Sequence, residues 1–122
     1  MSEPNFSKVF DRPTEAQVEK YLVSQIQKLG GIAYKFTSPA RRSVPDRLCM
    51  LPMGVIVFVE CKKPGGAATA LQMGELKRLW NLDHWATVVS TKTMVDALID
   101  TIKEEIDVRR TNGYSSNSRN AS

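Results

Sequence analysis

The sequence has few of the residues that build a membrane segment, a disulfide framework or a zinc site. Its longest apolar run, residues 53–59, is far too short to cross a bilayer, and its first residues lack the apolar core of a secretory signal. It contains only two cysteines and one histidine, and with no CxxC pair a structural zinc site is not expected. We expect a protein of the cytoplasm, with both cysteines as reduced, buried thiols.

Composition and charge are those of an ordinary globular domain. The chain has 122 residues, of which 42% are apolar and 25% are charged, enough for one domain around one core. The formal net charge is +4. A mild positive excess is compatible with nucleic-acid binding but does not demand it, so any such function has to be argued from a site.

Capping and periodicity signals predict seven elements in the order α-β-β-β-α-β-α. Thr14 with Gln17, and Thr69 with Gln72, match the capping box that begins a helix. The elements are expected at residues 14–29, 32–38, 46–51, 55–61, 69–82, 85–90 and 91–108. Three consecutive strands, followed by a helical crossover to a fourth, predict an α/β fold with a mixed central sheet flanked by helices.

The apolar pattern also predicts strand burial and the limits of the domain. Apolar and other side chains alternate in residues 32–38, which indicates a half-buried strand. Residues 55–59 are apolar on both faces, which indicates a central strand covered on both sides. We expect one domain over residues 13–108, preceded by a flexible arm at 1–12. From Arg109 almost nothing is available to bury, which predicts a disordered tail over 109–122.

Charged residues lie at both ends of a predicted hairpin that begins at Asp46 and ends at Lys62. If the chain reverses direction about Met53, Asp46 lies opposite Glu60. Because side chains alternate faces along a strand, Glu60 and Lys62 share one face. The three-residue connection ends in glycine and suits a hairpin with a bulge, which would shift this register by one residue. Two carboxylates and an ammonium are thus expected at the end of an otherwise apolar sheet.

A divalent-metal site is the interpretation that this cluster favours. Charges in apolar surroundings are costly unless a cation compensates them, and magnesium prefers oxygen ligands and retains waters. Asp46 and Glu60 are the candidate ligands, with the backbone carbonyl of Cys61 as a further oxygen. Lys62 is placed to orient or deprotonate an attacking water, or to stabilise charge on a phosphate. The alternative is a surface ion pair between Asp46 and Lys62 beside a solvated Glu60.

These residues resemble a known nuclease family. Val-Pro-Asp at 44–46 and Glu-Cys-Lys at 60–62 match the PD-(D/E)xK nucleases, and the surrounding chain resembles the VRR-NUC branch in its small stand-alone form from phages and bacteria. The resemblance covers roughly residues 14–100 and is carried by VEKYLVSQIQKLGG, AYKF, RRSVPDRL, FVECKKPGG and LQ. Ser43 stands where this branch often has glycine. The resemblance implies a restriction-endonuclease-like αβββαβ core.

The resemblance further implies an acidic residue on the first helix and a glutamine after the hairpin. Glu15 and Glu19 both fall within the arc of the helix's apolar stripe, so periodicity does not choose between them. The segment VEKYLVSQIQKLGG is similar to that of archaeal-type Holliday-junction resolvases, which favours Glu19 as a catalytic acid and a further candidate metal ligand. Gln72 is the candidate catalytic glutamine, and its alternative role is only to close the capping box with Thr69.

Four basic residues flank the candidate site. Lys35, Arg41 and Arg42 precede Asp46 in the chain, and Lys63 follows the hairpin. As a cluster beside a metal site they are expected to contact DNA phosphates. Taken singly, each is equally well explained as a solvated surface charge.

The resemblance implies a magnesium- or manganese-dependent, structure-selective DNA endonuclease. It would cleave four-way (Holliday) junctions through a metal-activated water and leave a 5′-phosphate and a 3′-hydroxyl. Paired cuts in a nearly two-fold symmetric junction need two sites, so we expect a homodimer with an apolar, helical interface. Alternatives are a nickase, a flap nuclease or a single-strand nuclease of the same superfamily. A non-catalytic DNA-binding module, or a structural protein with an incidental motif, is an alternative of another class.

Overall fold

The computed structural model describes residues 12–113, and these follow the predicted element order. The helices are α1 (Glu15–Lys28), α2 (Ala70–Asn81) and α3 (Lys92–Thr111), and the strands are β1 (Ile32–Lys35), β2 (Arg47–Met50), β3 (Ile56–Cys61) and β4 (Trp85–Val89). Both predicted capping boxes are present, at the starts of α1 and α2. The expected N-terminal arm, except Arg12, lies outside the described residues, as does residue 114 onward of the expected tail.

The four strands form one mixed sheet in the order β1-β2-β3-β4. The first two pairings are antiparallel, and β3 pairs with β4 in parallel after the crossover through α2. In the β2–β3 hairpin Arg47 lies opposite Val59, and the same register places Asp46 opposite Glu60. A 3-10 turn at Pro52–Gly54 connects the two strands. The predicted register is therefore confirmed without a shift.

One face of the sheet is buried under α1 and α3. Val57, Val59 and Cys61 of β3 point into this layer and have no exposed surface. The helices contribute Val18, Leu22 and Ile26 from α1, and Val95, Leu98, Ile99, Ile102 and Ile106 from α3. Burying one such aliphatic side chain stabilises the fold by about 1.5–3 kcal/mol. The strand that carries Glu60 is thus held firmly from behind, and both cysteines are buried free thiols, as predicted.

The opposite face of the sheet is only partly covered, so β3 lies inside the sheet as expected but is not covered on both sides. α2 packs beside β4, where Trp80 Nε1 donates to the carbonyl of Ala86 at 2.7 Å. Further along this face four apolar side chains stay open to solvent: Ile32 (52% exposed), Tyr34 (51%), Met50 (43%) and Ile56 (39%). In β1 the small Ala33 is buried while its larger neighbours are exposed. The alternation thus identifies a half-buried strand, but the smaller side chain faces the core.

The last helix extends past the predicted domain limit. α3 continues to Thr111, and Arg109 is held from two sides: Nη1 donates to the carbonyl of Met53 at 3.0 Å, and Nε donates to Glu105 at 3.0 Å. Residues 109–111 are therefore helical, which corrects the expectation of a disordered tail from Arg109. Composition missed this because the contact with Met53 joins residues distant in sequence. No helix within residues 12–113 is long and apolar enough to span a bilayer.

Candidate active site at the open end of the hairpin

The hairpin brings Asp46 and Glu60 together where β2 begins and β3 ends. Alternation along β3 turns Val59 and Cys61 towards the helices and Glu60 towards the opposite face. Asp46 is fastened by its own side chain, because its Oδ2 accepts a hydrogen bond from the backbone amide of Cys61 at 2.8 Å. Its backbone carbonyl accepts from the amide of Phe36 at 2.9 Å. Both acids are therefore set by the sheet rather than by a free loop.

Glu60 is buried with one oxygen satisfied and the other not. The residue is 2% exposed. Its Oε2 accepts from Gln72 Nε2 at 3.0 Å and lies 3.4 Å from Lys62 Nζ. Its Oε1 is buried without a hydrogen-bond partner among the described residues. Burial, and then the negative charge of Asp46, raise the pKa of Glu60 to about 7, against the opposing effect of the Lys62 ammonium. The carboxylate thus sits where a positive charge would stabilise it.

The donor set fits a hard divalent cation. Two neighbouring carboxylates, one with an unpartnered buried oxygen, provide the anionic oxygens that magnesium or manganese prefers. No group of three His, Cys, Asp or Glu side chains with metal-binding geometry occurs within residues 12–113. A cation bound here would therefore use Asp46 and Glu60 with oxygens that are not acidic side chains, such as water or the backbone carbonyl of Cys61.

Glu19 lies on the other side of the sheet end, in an ion cluster. Its Oε2 accepts from Arg47 Nε at 2.7 Å and from Lys35 Nζ at 3.1 Å. Together with Asp46 and Glu60 it raises the pKa of the Cys61 thiol, after the larger effect of burial, so all three carboxylates surround the end of β3. The structure nevertheless does not join Glu19 to the other two acids as a metal-ligand set.

Arg47 is a residue that the sequence reasoning missed. It directly follows Asp46, and alternation along β2 turns it to the helix face, where its Nη1 also donates to the carbonyl of Ala33 at 3.1 Å. The strand pattern contained this signal, since neighbours of a site residue point to the opposite face. Glu15, the alternative acid on α1, is exposed in the first turn of the helix.

Gln72 closes the capping box and also contacts the acid pair. Its side-chain oxygen accepts from the backbone amide of Thr69 at 2.9 Å, and the backbone amide of Gln72 donates to Thr69 Oγ1 at 3.2 Å. These two hydrogen bonds complete the capping box. Its side-chain nitrogen at the same time donates to Glu60. The start of α2 is thereby joined to the candidate metal-binding acid.

The basic residues are distributed around the site unequally. Lys35, Arg41 and Arg42 line a cavity of about 300 Å³ that reaches Asp46. Arg41 is also paired with the buried Glu75 of α2 at 3.1 Å, a partner that the sequence did not indicate. Lys63 is exposed in the loop after β3. A larger cavity, of about 590 Å³, lies elsewhere, beside Gly54 and His84, and contains neither acid of the pair.

Comparison with known proteins places this geometry in a family. No protein-family model matches the chain. The chain is 51% identical over 84 residues to "Putative nuclease p44" of Acyrthosiphon pisum secondary endosymbiont phage 1, an alignment that covers 69% of this chain and 90% of that protein. The structure is similar to a solved structure described as "VRR_NUC domain", with a TM-score of 0.68 at 33% sequence identity, covering 72% of this chain and 97% of the other. The chain has the restriction-endonuclease-like α/β fold and belongs to the VRR-NUC nuclease family.

Proposed function

We propose that the chain is a divalent-metal-dependent DNA endonuclease whose acid pair is Asp46 and Glu60. The observation that carries this proposal is the buried, unpartnered Oε1 of Glu60 beside a second carboxylate. A structural ion pair would not need this atom, because Lys62 and Gln72 both lie at the other oxygen. Membership of a nuclease family supports the same conclusion.

The side chains divide the work of phosphodiester hydrolysis among them. A bound magnesium or manganese ion supplies charge neutralisation and a lowered pKa of coordinated water. Asp46 and Glu60 would hold the cation at the sheet end, and Gln72, which donates to Glu60 Oε2, keeps that carboxylate in one orientation. The Lys62 ammonium, 16% exposed, is held near Glu60, where it would present a positive charge to the phosphate and donate a hydrogen bond that orients the attacking water. The expected products carry a 5′-phosphate and a 3′-hydroxyl.

The proposed substrate is branched DNA, and the four-way junction is the preferred form. Arg42 and Lys63 flank the acids and would contact phosphates of the DNA backbone. Lys35 and Arg41 could do so only by leaving their carboxylate partners, Glu19 and Glu75. Phosphate contacts carry no sequence information, so selectivity for DNA shape is the expected outcome.

Two cuts in a junction require two sites, and we propose that a second copy of the chain docks on the open face of the sheet. Ile32, Met50 and Ile56 are cross-strand neighbours in one row over β1, β2 and β3. A contiguous exposed apolar surface of this kind is typical of an interface, and a two-fold axis would pack it against its own copy. The proposed interface is thus a sheet face, where the sequence had suggested a helical one.

Cleavage of labelled DNA tests the proposed activity. We expect the wild type to cut four-way junctions with Mg²⁺ or Mn²⁺ and not with a chelator. Asp46→Asn and Glu60→Gln should lower cleavage by about a hundredfold or more, whereas Asp100→Asn, which changes an exposed acid on α3, should not. Full activity of Glu60→Gln would disprove the site. Comparing Glu19→Gln with Glu15→Gln decides which acid of α1 contributes.

A panel of substrates tests the proposed selectivity. Flaps, nicked duplexes, linear duplexes and single strands are compared with the junction at equal metal and salt. If flaps or single strands are cut in preference, the proposed acid pair stands and the four-way junction is no longer the proposed substrate. Binding of junctions without cleavage in any divalent metal would instead support a non-catalytic DNA-binding module.

A further inference from the structure

Another buried carboxylate lies near the acid pair, on α2. The side chain of Glu75 is 9% exposed, and its Oε1 accepts from Arg41 Nη1 at 3.1 Å. Arg78, one turn later on the same helix, is more distant, at 3.8 Å from Oε2. A buried carboxylate needs a close partner to remain ionised. Its closest partner here comes from a loop that lies 34 positions earlier in the chain.

One face of α2 contacts both sides of the candidate active site. Gln72 and Glu75 are three positions apart and therefore neighbours on the helix surface. Gln72 donates to Glu60, at the end of β3. Glu75 accepts from Arg41, in the loop that leads to Asp46. The helix thus connects the strand that carries one acid with the loop that ends at the other.

That loop, residues 36–46, is held at its ends more than in its middle, since the Phe36 ring lies 5.7 Å from that of Phe58, Pro45 is fully buried and Asp46 accepts from the Cys61 amide. Its two ends are joined by the hydrogen bond from the Phe36 amide to the Asp46 carbonyl, and a weaker internal one runs from the Arg41 amide to the Ser38 carbonyl at 3.3 Å. Pro39 to Arg42 are exposed. In the middle of the loop, the pair with Glu75 is the side-chain hydrogen bond and ion pair that reaches another element of the described chain.

We propose that Glu75 is a positioning residue. Its ion pair with Arg41, called the strap below, holds the 36–46 loop against α2. The strap thereby fixes the wall of the cleft in which a phosphate would meet Asp46 and Glu60. This inference rests on the nuclease activity proposed above. Without the strap the exposed middle of the loop, Pro39 to Arg42, moves relative to the two acids, which the sheet itself holds. A phosphate bound against this wall is then misplaced, and small misplacements of reacting groups slow chemistry strongly. Arg41 therefore acts through Glu75, while Arg42 and Lys63 remain available to phosphates.

Two other roles of this pair make different predictions. If the ion pair serves only stability, its loss should change cleavage no more than the loss of a similar, partly exposed pair elsewhere in the chain. If Arg41 itself binds a phosphate, Glu75→Gln would release it and tighten DNA binding, and so lower KM. The strap instead predicts that loss of either partner lowers kcat to the same degree.

The experiment measures kcat and KM for junction cleavage in Glu75→Gln, Arg41→Gln, the double variant and Arg41→Lys. We expect kcat to fall about tenfold in both single variants, with KM changed less than about twofold, and the double variant to be no worse than either. Arg41→Lys, which keeps the charge, should recover most of kcat. Arg78→Gln and Glu105→Gln, which remove a longer pair at Glu75 and a 3.0 Å pair on α3, are the matched controls and should leave kcat unchanged.

Amide hydrogen exchange of residues 37–45, without metal or DNA, provides a readout independent of catalysis. Exchange there should quicken in Glu75→Gln and Arg41→Gln and not in either control. Unchanged exchange, additive losses in the double variant, or a lower KM in Glu75→Gln would each overturn the strap. If the wild type cleaves nothing, the nuclease proposal fails and exchange alone decides the strap. If Asp46→Asn abolishes cleavage and Glu75→Gln is normal, the nuclease stands and the strap fails.

Discussion

Glu60 has a higher pKa than an ordinary carboxyl because the fold removes it from water beside another acid. Its pKa rises from 4.5 to about 7, chiefly through burial and then through Asp46. The metal-free folded chain therefore binds a proton more tightly than the unfolded chain does. Between these two values the folded state holds the proton that the unfolded state has lost, so stability decreases as the pH rises through this window. A bound divalent cation would take the place of that proton.

Substituting Glu60 should remove this pH dependence. In the presence of a chelator, we expect the free energy of unfolding of the wild type to fall as the pH rises from roughly 5 to 8. The part of this fall caused by Glu60 should be about 1–3 kcal/mol. Glu60→Gln keeps the size of the side chain and has no charge to bury, so this loss should disappear and the variant should be the more stable at the higher pH. Urea unfolding at a series of pH values measures it, with Asp100→Asn as the control. An equal loss in Glu60→Gln would show that another group causes it.

The two capping boxes have the same sequence pattern and different surroundings. Thr14 with Gln17 begins α1, and Thr69 with Gln72 begins α2, with the same pair of hydrogen bonds in each. Of the two glutamines, Gln72 donates to a buried site acid. Each box supports its helix start in the same way, but the box of α2 also orients Glu60. The side-chain amide of Gln72 thus serves both the start of α2 and the candidate active site.

Replacing each glutamine by glutamate separates these two roles. Glutamate is itself a capping-box residue, so Gln17→Glu should change stability by no more than about 0.5 kcal/mol and leave cleavage unaltered. Gln72→Glu replaces the donor to Glu60 by a third negative charge. We expect its apparent Mg²⁺ affinity or its activity to fall about 10- to 100-fold. Magnesium titrations of cleavage with both variants test this, and equal behaviour of the two would leave Gln72 with a capping role alone.

The assembled chain leaves an apolar row on an open sheet face, and β1 forms one edge of that sheet. In a monomer this row would remain in contact with water. Docking of a second copy there would bury it and would also bring two acid pairs into one particle. Burial of the apolar row and the need for two acid pairs are therefore both met by a two-fold symmetric dimer that packs through this sheet face.

A charge in the apolar row should prevent dimerisation without unfolding the chain. Met50 is 43% exposed, so Met50→Glu is tolerated in a monomer and penalised in an interface. We expect the dimer dissociation constant to rise about a hundredfold or more, with paired junction cuts becoming single nicks. Sedimentation velocity over a concentration series measures this. Leu82→Glu is the control, since Leu82 follows α2 and is 66% exposed. If this variant rather than Met50→Glu raises the dimer dissociation constant, the interface lies on the helices.

Much of the fold was predictable because its signals are local. Capping boxes, the turn at Pro52–Gly54 and the alternation of side-chain faces along a strand involve neighbours within a few positions. They predicted the element order and the pairing of Asp46 with Glu60, with a bulge that shifts the register by one residue as the alternative. The acid pair could be recognised for the same reason, since hairpin register follows from turn length. The end of α3 was not predicted, because Arg109 is held by Met53 across 56 positions.

The amino-acid order was sufficient to identify the family, the α/β architecture and the two acids at the hairpin end. It did not reveal that Glu19 is held by Arg47 and Lys35, that Glu75 is held by Arg41, or that β1 buries Ala33 and exposes Ile32. Those features depend on how distant elements pack, and a pattern read over a few neighbouring positions carries no information about a partner many residues away. The burial that raises the pKa of Glu60 likewise exists only once the helices and the sheet have come together.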